Sequence, residues 1–376
     1  MNRRTVIEIG LLLAGVVLGA GALLLLTAKP SLPRNEDAVP ARADTVPDAV
    51  RIVWRYPTGG PILSSPVVAD GRVIVGSSDN RVHCLDAATG EVVWTYVTDD
   101  DVDAPPLVLD GRVYVGSVDG VLHAIDAVKG TAVWTYATGG PIHGGADSFR
   151  LPDGAVRILV GSYDRKLHCV DAATGERVWT VKIGDYVNGA PSVFKDAVVF
   201  GGCDGKIHVV DALSGETRRD VALGDGVYIA SSVVTNRNVA YAAHVGNGCV
   251  AVAIDSGEIL WSYEAEDGFF TSPALAPDRV VVAGRDQFLR ALDRESGEVL
   301  WSFRARDAMD SSPVITGDRV VVGSNDGRVY AVRLESGELV WEFSLGGAIS
   351  GSVAVTDDLI FVPCEDGTLY ALGPRR

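Results

Sequence analysis

From residue 50 onward the chain repeats itself, and that repeat constrains its fold more than any other feature. All seven tryptophans fall in one register, Trp54, Trp94, Trp134, Trp179, Trp261, Trp301 and Trp341, most of them forty residues apart. The wide interval between Trp179 and Trp261 holds Arg219 at the equivalent slot, four residues after Gly215, so the register has eight positions.

Each unit has the same parts. The first reads Ser65-Pro66-Val67-Val68, Asp70-Gly71, Arg72 to Gly76, Asp79-Asn80, Val82 to Leu85, then Asp86-Ala87-Ala88-Thr89-Gly90-Glu91 and Val92 to Tyr96. Short β-branched runs separated by Asp-Gly, Asp-Asn and Thr-Gly turns spell hairpins, because primed turns need residues that tolerate positive φ. The unit is therefore expected to be a four-stranded antiparallel meander. Such a sheet cannot bury both faces alone, whereas a ring of them stacks every face on a neighbour. The third-strand segment recurs at Val82, Leu122, Leu167, Ile207, Val250, Leu289, Val329 and Leu369, and the last copy runs to Gly373 without a tryptophan strand. The strand it lacks stands at the other end, Ile52 to Tyr56. The sequence thus predicts an all-β fold, an eight-bladed β-propeller of four-stranded antiparallel blades over residues 50–376, in which residues 50–57 close the last blade and abolish an open edge.

Two segments precede the ring. Residues 1–28 contain Arg3 and Arg4 followed by an uncharged apolar run from Ile9 to Ala28. About 20 such residues cross a bilayer as one helix. The arginines keep the N-terminus in the cytoplasm and send the rest outward. The segment is expected to be a transmembrane anchor in preference to a cleaved signal, which places the ring outside the cytoplasm, at the cell surface or in the periplasm, or secreted if cleavage occurs. Residues 29–49, with Pro30, Pro33, Pro40 and Pro47, read as an extended linker.

The stretch Cys84-Leu85-Asp86-Ala87-Ala88-Thr89-Gly90-Glu91-Val92-Val93-Trp94, repeated as Ala291-Leu292-Asp293-Arg294-Glu295-Ser296-Gly297-Glu298-Val299-Leu300-Trp301, resembles the tryptophan-docking motif of the quinoprotein-like (PQQ-like) propeller repeats. The resemblance implies that each tryptophan packs flat between blades and that the aspartate ties down the turn. One branch of that family comprises dehydrogenases that hold pyrroloquinoline quinone and usually calcium. The other is non-catalytic, the BamB-like outer-membrane assembly factors, and the chain resembles this branch more closely in its size and its lack of adjacent cysteines. No cysteine follows the apolar run to take the lipid that such factors carry. The resemblance implies a non-catalytic scaffold with a protein partner at or near the membrane and no cofactor; a quinone-dependent oxidoreductase using PQQ with calcium is the alternative.

Charge and composition narrow the partner. A net charge of −16 repels polyanions, so nucleic acid is not an expected partner. The five cysteines form no CxxC pair and read as free, mostly buried thiols. His83, His123, His168 and His208 all stand three residues before a turn aspartate. Blades about 45° apart place them too far from one another to share an ion, so they read as one structural slot.

Positions that break the repeat are the candidates for function, since the ring demands the shared residues everywhere. The loop leading into each innermost strand varies most: Asp101 to Asp103, His143, Tyr186 with Asn188, Tyr228, Phe269 with Phe270, and Met309 with Asp310. By resemblance these loops surround one mouth of the central channel, and their aromatics are expected to be exposed anchors for a partner. The third unit adds an insertion near residues 151–156 and replaces the usual Ser-Ser-Pro with His143-Gly144-Gly145-Ala146-Asp147. Arg219, beside Arg218, marks a weaker seam or a basic contact point.

Overall fold

The computed structural model describes residues 46–246 and 248–375, so the apolar run and most of the linker lie outside the described residues. Eight four-stranded antiparallel sheets make up the described residues. Blades 1 to 7 are residues 67–97, 107–137, 147–182, 192–222, 234–264, 274–304 and 314–344, each a meander in chain order from the innermost strand outward. Blade 8 takes three strands from residues 354–374 and its outermost strand from Val50–Pro57, which pairs antiparallel with Thr368–Pro374. The innermost strands of blades 1 and 8 lie side by side, closing the ring. Among the described residues no helix is long and apolar enough to cross a membrane.

Burial follows the strand order. The second and third strands, such as Arg72–Ser77 and Arg81–Asp86, are covered on both faces by the neighbouring blades. The outer strand alternates, as in Val92–Val97, with Trp94 inward and its neighbours outward. The innermost strand, such as Val67–Ala69, is half-buried along the channel.

The seams share one device. The indole N–H of each tryptophan donates to a main-chain oxygen in the third turn of the next blade: Trp54 to Ala87 at 3.0 Å, Trp94 to Ala127 at 2.9 Å, Trp134 to Ala172 at 3.0 Å and Trp179 to Ala212 at 3.1 Å. Trp261 reaches Arg294 at 3.0 Å and Trp301 reaches Leu334 at 2.8 Å. At the last seam Trp341 donates to Pro47 at 2.7 Å, so the residues just before the closing strand serve as the missing turn. Arg72 adds a second donor to the Ala127 oxygen at 2.5 Å, and Arg279 does the same at Leu334 at 2.9 Å. The turn itself is pinned by its aspartate: Asp86 Oδ1 accepts from Ala88 N at 3.0 Å and from Thr89 N at 2.8 Å. The aspartate and tryptophan roles that the resemblance implies are thus both realised.

The glycine of that turn is required twice over. Gly130 has φ +69 and lies flat under the Trp94 ring, where a Cβ would meet ring atoms at 2.5 Å. Gly111 has nearly the same backbone, φ +72, with nothing within 4 Å of a Cβ. Alanine at either position bears the left-handed backbone penalty of about 1–2 kcal/mol, and only Gly130→Ala also overpacks a seam, for a further ~1–3 kcal/mol. Urea melts of the two variants are expected to differ by that second amount, with Gly130→Ala the less stable.

Candidate channel mouth

The turns joining second to third strands, and the loops leading into the innermost strands, gather on the face opposite the tryptophan-docking turns. Each lead-in loop carries a repeated slot whose side chain plugs the space under the mouth: Ile62, Val102, Ile142, Val187, Ile229, Phe269, Met309 and Ile349, none more than 1% exposed. Phe269 and Met309 are therefore plugs inside the cores of their seams, not exposed anchors. The sequence expectation for these two residues is corrected: a hydrophobic residue at that slot is demanded by the ring.

The residues after the plug in four of these loops, Asp103, His143, Phe270 and Asp310, meet other unrepeated side chains in two clusters. The first spans blades 2 to 4. His143 Nδ1 lies 3.2 Å from Asp103 Oδ2, and the imidazole packs on Tyr163 with ring centroids 4.7 Å apart. Tyr163 in turn stacks on Tyr186 at 4.4 Å, with planes 9° apart. Asp103 Oδ1 is buried without a hydrogen-bond partner. Burial, then the charges of Asp103 and Asp100, hold the Asp101 carboxyl above its usual range. The second cluster spans blades 6 and 7, where the Arg285 guanidinium lies 3.6 Å over the Phe270 ring and bonds Asp310 at 2.7 Å. Asn325 donates to the same carboxylate at 3.0 Å.

Other expected residues fall elsewhere. Asn188 donates to the Ala230 oxygen at 3.0 Å and ties two blades together. Tyr228 is 48% exposed on the rim of blade 5. Asp147 begins the innermost strand of blade 3, at the wall of the channel, and burial pushes its carboxyl up to about 6. Tyr163, Arg285 and Asn325 were not apparent as candidates in the sequence. They share a slot with Ser78, Val118, Cys203, Val245 and Glu365, just before the repeated Asp-Gly type turn, and the variety at that slot is the signal that marks it.

The four aligned histidines do structural work, each in its own blade. His83 Nε2 lies 3.1 Å from Asp79, and its Nδ1 lies 3.1 Å from the hydroxyl of Tyr56 in the preceding blade. A carboxylate only accepts, so Nε2 carries the proton and Nδ1 accepts from the tyrosine. His168 repeats this with Asp164 at 3.1 Å and Tyr136 at 3.0 Å. His123 has Tyr96 at 3.1 Å and a longer contact of 3.4 Å to Asp119. His208 bonds Asp204 at 3.1 Å and Asp220 at 2.8 Å within its own blade. Tyr330 and Tyr370 take the slot in blades 7 and 8 and donate directly to Asp326 and Asp366. Among the described residues no three His, Cys, Asp or Glu side chains converge to hold a metal ion.

Over residues 47–150, 144–218, 203–347 and 308–375 the chain matches the family described as outer membrane protein assembly factor BamB. The chain belongs to the BamB family. No curated protein matches it. Among solved structures, BamB from Moraxella catarrhalis is similar at 19% identity and TM-score 0.74, covering 86% of this chain and 100% of that one. The quinohemoprotein alcohol dehydrogenase from Comamonas testosteroni is similar at 18% identity and TM-score 0.71, covering 90% and 80%. A europium-containing methanol dehydrogenase follows at 14% identity and TM-score 0.70, covering 86% and 93%. At these identities the likenesses show the propeller fold, which the BamB family member shares with the enzymes.

The titrating groups give the stability of this BamB family member a defined pH dependence. Burial holds His83, His123, His168 and His244 below the ordinary histidine value of 6.5. The unfolded chain therefore binds more protons than the ring as pH falls through that value, so stability is full above pH 6.5 and is lost below it. Asp147 has the opposite sign: its raised value favours the folded state below the ordinary 3.8, and that contribution disappears as pH rises through about 6. Urea midpoints are expected to fall between pH 7.5 and 5.5. Asp147→Asn is expected to raise stability at pH 7.5 by about 1–3 kcal/mol and to lose most of that gain by pH 4.5.

Proposed function

We propose that the protein is a non-catalytic scaffold that captures a partner protein at the channel mouth. The observation that carries this reading is the exposure of three unrepeated aromatics on one face: Tyr186 at 43%, Tyr228 at 48% and Phe270 at 36%, around a ring whose repeated framework is buried. Exposed aromatics supply contact area at little entropic cost, and three on one face give a partner separate points of anchorage. Asp101 and Asp103 on the same face favour a partner segment carrying arginine or lysine. Family membership supports an assembly role. The apolar run from Ile9 to Ala28 supports a ring held at the outer face of a membrane.

Two measurements test this. Full-length protein is expected to stay with the membrane through carbonate extraction, with the ring open to external protease; a soluble mature chain starting within the linker contradicts the anchor. In cross-linked affinity capture, Tyr186→Ala with Tyr228→Ala is expected to lower partner recovery at least tenfold with an unchanged melting temperature. Phe269→Ser, which empties a buried plug, is expected to lower stability by about 3–5 kcal/mol instead. The rival reading, an oxidoreductase, takes the place of this one if added PQQ and calcium produce both a bound-quinone spectrum and dye reduction.

A further inference from the structure

The seam between blades 4 and 5 alone lacks the tryptophan, and it also lacks an arginine that five blades supply. Arg219 stands where the other seven carry tryptophan, and Ala197 stands where blades 1, 2, 3, 6 and 7 carry Arg72, Arg112, Arg157, Arg279 and Arg319. The flat turn that would receive an indole is nevertheless kept: Gly257 has φ +75, and the Arg219 stem lies against it, with Cδ 2.5 Å from where a Cβ would stand. Arg219 also keeps the cross-seam bond, donating from Nη2 to the Asp255 oxygen at 3.0 Å.

An arginine stem fills less space than an indole, and a cavity of about 220 Å³ remains at this seam. Its apolar walls are Phe194, Ala197, Val209 and Ile254. Three cations border it. Arg218 is neutralised by Asp196 at 2.7 Å and Asp211 at 2.6 Å. Among the described residues Arg219 donates to a main-chain oxygen and the Lys195 ammonium lies 4.8 Å from the Phe194 ring, with no carboxylate paired to either. Among the described residues the acidic chain thus presents two cations without a carboxylate ion pair, beside a recess with a partly apolar wall that Asp196 and Asp255 also line. At about 220 Å³ the recess has room for a planar ring laid against these walls. An arginine fork with a neighbouring ammonium suits a carboxylate.

We propose that this seam binds a small planar aromatic carboxylate, its ring on the apolar walls and its carboxylate on Arg219 and Lys195. The proposal is independent of the mouth and goes beyond the scaffold role.

Titration calorimetry of the full-length protein in detergent, with indole-3-acetate as the probe, tests it. Saturable binding at one site is expected, at least tenfold tighter than for indole, which lacks the carboxylate, or acetate, which lacks the ring. Arg219→Trp rebuilds the repeat and fills the recess, so it is expected to raise the melting temperature and abolish binding. Lys195→Gln, which leaves the seam packing alone, is expected to weaken binding about tenfold without moving the melting temperature. Absence of saturable binding at millimolar probe overturns the proposal, as does indole-3-acetate binding unchanged in Arg219→Trp or in Lys195→Gln.

Discussion

The ring depends on one interaction: an indole donating its N–H to a main-chain carbonyl of the next blade at seven seams, and at six of them lying flat on the glycine of that blade's turn. Three requirements meet there. The turn must offer a carbonyl, which the aspartate secures by holding the backbone, as Asp86 does for Ala88 and Thr89. The glycine must be bare, because any Cβ enters the ring space, as at Gly130 under Trp94. The indole must supply both area and a donor, which no other apolar side chain does. Each sheet buries little alone, so the ring holds together through these seams, and the final one recruits Pro47 from before the closing strand.

This arrangement separates two faces of the molecule. On the docking face the turn aspartate, glycine and carbonyl are held by the seams, and variation at the tryptophan slot, as at Arg219, changes how blades meet. On the mouth face the ring asks for one buried plug per loop and leaves the adjacent position free. That freedom is where Asp103, His143 and Phe270 collect, each contacting a neighbour from another unrepeated slot. Between the faces, the His–Asp–Tyr chains of blades 1 to 3 link successive blades while keeping the imidazoles neutral and buried.

The architecture was legible in the sequence because a closed ring repeats its demands, so the tryptophan register and the turn motif announce the blades and their number. The mouth was legible only in part. Asp103, His143 and Tyr186 do meet on one face, joined through Tyr163, which sits in a turn outside the lead-in loops and so escaped notice. Phe269 and Met309 looked unrepeated because the plug slot accepts isoleucine, valine, phenylalanine or methionine alike. Its repeat lies in burial, and residue identity conceals it. The weak seam at Arg219 was visible as a gap in the register. That Ala197 compounds it became apparent only when the two residues were seen to border the same cavity.

If the indole docking is what holds blade to blade, the ring must be least stable where the indole is missing. Native-state hydrogen exchange read by mass spectrometry, in low denaturant, tests this directly, since local opening exposes amides in order of local stability. The outer strand Thr217–Ala222 and the facing turn at residues 254–258 are expected to exchange first, ahead of the equivalent strands and turns at the seven tryptophan seams, the closing strand Val50–Pro57 included. Opening that begins instead at the closing strand, or exchange uniform across all eight seams, would contradict it.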